Sequence, residues 1–308
     1  MRKGLSAVFI LIVLIAGCES RQESIKVSGA FALYPLMVKW ADEYQKLHPG
    51  VRIEVSAGGA GKGMSDALSG LVEIGMISRD IDQSEVDKGA FYVAVAKDAV
   101  VPTANRNNPL AQELKGRGLT KAEFKEVFVI GNRTRWGSLV GADAADDRIS
   151  LYTRADSCGA ADIWAKFMGA KQEDLKGIGV NADPGIADAV SRDRNGMGYN
   201  NIGFAYDEKT GKPMGDLMIL PIDINGDGRV SEDESFYDDR QSILDAILAG
   251  KYPSPPARDL YIATKGNFSG SAGEFVRWML TDGQQYVPEA GYIPLAKDRL
   301  QEQVRKLG

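Results

Sequence analysis

Between Ile25 and Ser78 the chain alternates short apolar strands with amphipathic helices, and glycine marks each passage from strand to helix. Ile25 to Ser28 reads as a strand ending at Gly29. Pro35 then opens a helix in which Met37, Trp40, Ala41, Tyr44 and Leu47 recur at helical spacing, until Pro49-Gly50 stops it. Val51, Ile53 and Val55 alternate along a second strand, which runs into Gly58-Gly59-Ala60-Gly61 and a helix through Met64, Leu68 and Leu71. Glu73 to Ser78 supplies a third apolar stretch. Strand–helix–strand–helix–strand order is the grammar of an α/β unit with a parallel sheet.

The same grammar returns further along. Phe91 to Ala96 reads as a strand after which Lys97-Asp98 leads the chain into a second lobe. Within that lobe, Leu119 to Phe128 reads as a helix introduced by Thr120 and Glu123, Arg148 to Thr153 as a strand, and Ala160 to Met168 as a helix. Ile186 to Arg192 and Ser242 to Leu248 read as helices, and Gly198 to Phe204 as a strand. After Pro253 to Pro256 come a strand at Leu260 to Ala263, a helix at Ala272 to Leu280 and a charged amphipathic tail. The fold class expected is α/β with two lobes, residues 25–95 plus 256–308 forming one and 96–255 the other, and a ligand held in the cleft between them. A chain of 308 residues is long enough for two separate cores.

The N-terminus reads as an address. Arg2 and Lys3 precede an apolar run from Leu5 to Ile15, too short for a membrane span and right for a signal peptide. Leu14-Ile15-Ala16-Gly17-Cys18 resembles the bacterial lipobox, so residues 1–17 are expected to be removed and Cys18 to carry lipid. Residues 18–24 then form a polar tether, and the remainder lies outside the cytoplasm, on the periplasmic side of a bacterial membrane. With Cys18 lipidated, Cys158 has no partner for an internal disulfide. The formal net charge of −5 argues against a nucleic-acid surface, without arguing against one small buried anion site. A single histidine, His48, leaves little room for a histidine-based metal centre or a catalytic triad.

Three segments bring helix N-termini to the ends of strands: Gly29-Ala30-Phe31-Ala32, Gly58-Gly59-Ala60-Gly61 and Ser157-Cys158-Gly159-Ala160. First-turn N–H groups and the helix dipole favour an oxyanion at such places, and Arg154 adds a charged fork beside the third. Each segment taken alone is equally a glycine turn needed for tight packing. Neither a P-loop nor a dinucleotide fingerprint is satisfied. Asp80 and Asp156 are candidate acceptors for the proton of a protonated oxyanion, Asp156 equally a helix cap or a partner of Arg154.

These segments, with Glu73 to Arg79, Arg154 to Ala160, Tyr252-Pro253 and Arg258-Asp259-Leu260-Tyr261, resemble in order and spacing the phosphate-binding proteins of phosphate-specific ABC transporters, of the type II solute-binding fold. The resemblance implies phosphate ligands at Phe31 and Ala32, at Gly59 or Ala60, at Ser78 with Arg79 or Asp80, at Arg154, and at Cys158, Gly159 and Ala160. It also implies an ABC permease as partner, a monomer and no chemical step. Where the family carries hydroxyl donors, Phe31, Gly59, Cys158 and Ala160 have none. Another oxyanion (arsenate, sulfate or molybdate), or a sensor's role, is the alternative reading. A secreted hydrolase using Cys158 or the calcium site is a third, and the sequence offers it no positioned base.

The most specific chemical motif lies elsewhere. Residues 223–234 match the twelve-position calcium loop: Asp223, Asn225 and Asp227 at positions one, three and five, and Gly228 at the turn. Arg229 would bind through its carbonyl, Ser231 through its side chain or a water, and Glu234 with both oxygens. Pro221 precludes an entering helix and no second loop exists, so a structural Ca2+ clip is expected rather than a sensor, and no organic cofactor.

Overall fold

The computed structural model describes residues 23–141 and 148–308. The leader, Cys18 and the first part of the tether lie outside the described residues. Among the described residues nine strands form one curled, hydrogen-bonded sheet: β1 (Glu23–Gly29), β2 (Val51–Ala57), β3 (Ile74–Ile77), β4 (Ala90–Asn105), β5 (Ser150–Arg154), β6 (Ile178–Val180), β7 (Gly196–Asn201), β8 (Leu217–Ile219) and β9 (Ala257–Lys265). Their order is β2-β1-β3-β9-β4-β7-β5-β6, with β8 on β4. β1, β2 and β3 are parallel, as their helical crossovers require, while β9 is antiparallel to both β3 and β4.

Two hydrophobic cores flank this sheet. One gathers Ile25, Leu36, Trp40, Ile74, Val93, Ile262, Phe275 and Tyr292. The other gathers Val101, Phe124, Phe128, Trp164, Ile186, Tyr199, Ile219 and Tyr252. The first core is discontinuous in sequence, and Trp40 shows how its halves are joined. Fully buried, the indole donates to the carbonyl of Gly283 at 2.7 Å, so the Tyr34–Leu47 helix is fastened to the chain's last third. Burying a side chain of this size is worth about 2–3 kcal/mol. The Lys297–Lys306 helix closes the same core, Gln303 accepting from the amide of Ala94 at 3.1 Å.

The strand expected at Phe91 to Ala96 does not stop at Lys97-Asp98. β4 continues to Asn105, because the residues beyond are buried on both faces and find new partners. Its first part pairs with β9. From Val100 it pairs with β7, and at Thr103 it carries β7 on one edge and β8 on the other. β4 and β9 therefore cross from one core to the other. The Thr120 capping box forms as expected, its hydroxyl accepting from Glu123 N at 3.2 Å, but the helix it opens covers only Lys121–Lys125 before widening into a π-turn.

Candidate functional site

Glycine sets how closely the two halves meet. Gly29 sits at φ +135° with its Cα against Gly63, and any side chain there would run into Met76 O. Its carbonyl accepts from Gly58 N and Gly59 N, which brings the second glycine turn onto the end of β1. The Ala60–Ser69 helix starts from that turn. Across the seam the Gly159–Phe167 helix starts at the end of β5. Gly159 lies against the carbonyl and hydroxyl oxygens of Ser78, at the end of β3, so closely that a Cβ would overlap both. A Cβ on Gly59 would lie 2.9 Å from Ser157 O and 3.5 Å from an Asp156 carboxylate oxygen. The Phe31 ring lies 5.5 Å from the Arg154 guanidinium, within cation–π range.

Phe31, Gly59, Ala60, Ser78, Arg154, Asp156 and Gly159 are thus brought to one seam. Ala32 and Ala160 are buried beside them. The amides of Ala60, Gly61, Gly159 and Ala160 head their helices, where no preceding turn supplies a carbonyl. Other candidate donors are already committed. Ala30 N donates to Met76 O at 2.8 Å, Gly59 N to Gly29 O at 3.0 Å, and Cys158 N to Gln172 Oε1 at 3.1 Å. Arg79 and Asp80 face away from the cluster. The Arg79 fork is held by Glu85 at 2.6 and 2.9 Å, and the exposed Asp80 carboxylate pairs with Lys166 of the Gly159 helix at 3.1 Å.

Arg154 is held on every side. Tyr199 Oη accepts from its backbone amide at 3.2 Å. Its Nε and Nη2 donate to the two oxygens of Asp156 at 2.8 and 2.6 Å, and Nη1 to Asp183 at 2.5 Å. Burial pulls this guanidinium's pKa down, but the Asp156 hydrogen bonds and the charge of Asp183 outweigh it and raise the pKa. Burial pushes the Asp156 carboxyl up, and Arg154 brings it below its ordinary value. Asp183 also accepts from Asn201 Nδ2 at 2.6 Å, and Asn201 Oδ1 accepts from Arg258. Arg258 on β9 faces Asp98 on β4 at 3.5 Å and donates to Gly159 O. A buried polar chain therefore runs from the crossing strands to the helix start at the seam. Asp183 and Asn201 carry no signal in the sequence; Asp98 stands out there only as the end of a strand, and Arg258 only within Arg258-Asp259-Leu260-Tyr261.

Cys158 is buried, caps its helix by accepting from Ala161 N at 3.5 Å, and is pushed up to about 12 by burial, with the nearby Arg154 opposing. Such a thiol is not a nucleophile at neutral pH.

In the 223–234 loop, Asp223 and Glu234 are buried. Asp223 accepts from Gly226 N and Gly228 N at 2.7 and 3.0 Å. Glu234 accepts from Ile224 N, Asn225 N and Ser231 N at 2.7, 3.2 and 3.0 Å, and from Ser231 Oγ at 2.8 Å. Asp227 lies with Asn225 and Arg229. The loop is pinned to its neighbour by Asp223 N to Leu119 O and Val230 N to Gly116 O. Among the described residues no group of three or more His, Cys, Asp and Glu side chains closes into a metal cluster. The donor chemistry fits a hard cation: oxygen groups in the required order, with two buried carboxylates that no cationic side chain pairs among the described residues.

A curled α/β sheet shared by two cores, with helix N-termini meeting at the seam, is the architecture of a type II solute-binding protein. The chain belongs to the PBP superfamily, whose domain model matches residues 16–283. It is 27% identical over 282 residues to the phosphate-binding protein PstS of Bacillus subtilis, covering 91% of this chain and 83% of that protein. To PstS of Pseudomonas aeruginosa it is 27% identical, over 91% of this chain and 85% of that one. Among solved structures it is similar to a putative phosphate ABC transporter substrate-binding protein with bound phosphate from Clostridium perfringens. That match has a TM-score of 0.72 and 23% identity, covering 89% of this chain and 100% of the other. The family is one of binding proteins without a catalytic step, and this chain is not an enzyme.

Proposed function

We propose that the chain is an extracytoplasmic phosphate-binding lipoprotein that delivers phosphate to an ABC transporter permease. The observation that carries this reading is the meeting of Arg154, Ser78 and the starts of the Ala60 and Gly159 helices at one seam between the cores. Residues 25–95 with 256–308 act as one lobe and 96–255 as the other. Phosphate lies between them, taking N–H donors from the helix starts and charge from Arg154. Asp156 and Asp183 outnumber the guanidinium by one charge, so a protonated anion has a carboxylate to meet, while one N–H on each of Nη1 and Nη2 remains for the anion's oxygens. The signal peptide at 1–17 directs export and is removed, and the lipid on Cys18 tethers the protein to the periplasmic side of a membrane.

The missing hydroxyls at Phe31, Gly59, Cys158 and Ala160 favour one competing reading, a different small oxyanion on the same scaffold. A hydroxyl lost from a desolvated anion site costs about 1.5–3 kcal/mol. Calorimetry of the calcium-loaded protein against phosphate, arsenate, sulfate and molybdate separates the two. Tightest binding of phosphate supports the first; preference for molybdate or sulfate, or no binding at all, overturns it.

Calcium in the 223–234 loop belongs to the same proposal, with Asp223, Asn225, Asp227, Arg229 (carbonyl), Ser231 and Glu234 as ligands. Its role would be structural, since the bound ion neutralises two buried carboxylates and fixes the loop against Gly116 and Leu119.

A further inference from the structure

The two cores also face each other across residues that the Arg154 cluster does not use. Pro35, Lys39, Glu289 and Ala290 on one side and Gly203, Glu208 and Arg240 on the other enclose a cavity of about 300 Å3. Arg240 opens the Arg240–Leu248 helix and is only 9% exposed. Its Nη2 donates to Ala290 O at 2.6 Å, while its buried Nε meets no hydrogen-bond partner. Among the described residues no carboxylate pairs with it. Neighbouring acids are engaged elsewhere: Asp239 caps the helix through Ser242 N and Oγ at 2.9 and 2.8 Å, and Asp238 pairs with Lys115 at 2.6 Å. The guanidinium lies flat against Gly291, at φ +76°, where a Cβ would collide with it. The backbone is shaped to admit this charge, and the charge is left without a counter-ion.

A buried cation that lacks its counter-ion is a standing cost, relieved by an anionic group from outside. The walls narrow the choice. Lys39 adds a second cation, but it already faces Glu43 at 3.1 Å and Glu289 at 3.9 Å, and Glu208 adds another negative charge. The walls carry two cations, Lys39 and Arg240, and two carboxylates, Glu208 and Glu289, so with no net charge beyond them a singly charged anion is favoured over a dianion. A planar fork matches a carboxylate, and the Pro35 ring, Ala290 and Gly203 leave apolar wall for a short carbon chain.

We propose that this cavity is a second ligand site, taking the carboxylate of a small monocarboxylic acid against Arg240. It does not depend on which anion occupies the Arg154 cluster. Because its walls come from both cores, its occupant bridges them.

The test is a calorimetric titration of the full-length chain with butyrate, with inorganic phosphate present throughout and phosphate titrated separately. The expected result is saturable butyrate binding, weakened about tenfold or more in Arg240→Gln and tightened about threefold in Glu208→Gln. Should Arg240→Gln fail to fold, Lys39→Gln and the exposed Glu208→Gln keep the test, since they must shift the affinity in opposite directions. Absence of saturable butyrate binding in the parent overturns the proposal. So do unchanged affinities in the variants, displacement of butyrate by phosphate together with its loss in Arg154→Ala, or a second phosphate equivalent removed by Arg240→Gln. Butyrate binding in a protein that does not bind phosphate would refute the function proposed above and leave this site standing.

Discussion

At the scale of single residues, Arg154 and Gly159 carry the most testable chemistry. Arg154 lies beside both helix starts and keeps one N–H on each of Nη1 and Nη2 beyond its contacts with Asp156 and Asp183, and in a desolvated site such charge-assisted contacts are strong. Arg154→Ala should weaken oxyanion binding by about 2–4 kcal/mol, roughly thirty- to thousand-fold, with Arg154→Lys recovering part. Calorimetry showing parental affinity in Arg154→Ala would remove it from the site. Arg79 is the control: with its fork spent on Glu85, Arg79→Ala should change affinity by under about 1 kcal/mol. Gly159→Ala tests the close approach. A methyl group placed on the oxygens of Ser78 forces the helix start outward, so urea unfolding should show a loss of about 1–3 kcal/mol, with weaker anion binding. Stability and affinity both at the parental level would mean that the seam is looser than drawn. Arg154 and the glycine turns were legible in the sequence because their chemistry is local: a charge beside a helix start, a glycine where strand becomes helix. Asp183 was not, since one carboxylate at one more helix start looks like any N-terminal acid until β5 and its helix are folded side by side.

At the scale of elements, the crossing strands and the 223–234 loop behave differently with pH and metal. Asp98 on β4 is fully enclosed and pushed up to about 6 by burial, with Arg258 opposing. A carboxyl raised in the folded state binds its proton more tightly folded than unfolded. Its contribution is therefore most favourable below its unfolded value near 3.8 and is lost as pH rises through about 6. Unfolding free energies of the parent and Asp98→Asn should accordingly converge, or cross in favour of the variant, between pH 4 and pH 7; parallel curves would contradict this. For the loop, Glu234→Gln should lower the melting temperature by about 2–4 °C or more when calcium is present and change it little after chelation. Equal losses in both conditions would argue for a purely structural carboxylate. The loop could be read because a cation demands fixed spacing along the chain. The full length of β4 could not, because Lys97 and Asp98 look like a strand's end. Only the partnering of Asp98 with Arg258 on the neighbouring strand makes a buried charge tolerable there.

At the scale of the whole molecule, a ligand held by both cores should stabilise the entire fold. Phosphate at a hundred times its dissociation constant should add about 2.7 kcal/mol to the unfolding free energy, and a melting temperature insensitive to phosphate would tell against a seam site. The sheet order has a further consequence, for how the molecule is made. β9 is inserted between β3 and β4, yet it leaves the ribosome more than 150 residues after both. Until it arrives, the first core lacks its central strand, and one edge of β3 and one edge of β4 stand unpaired. The second core, built almost entirely from residues 99–257, has no such wait. The segment nearest the N-terminus is then the last to become native, and a chain whose leading segment stays unfinished until its last third emerges is suited to being threaded through a membrane before it folds. Pulse-labelled hydrogen exchange during refolding should find β7 and β8 protected before β3.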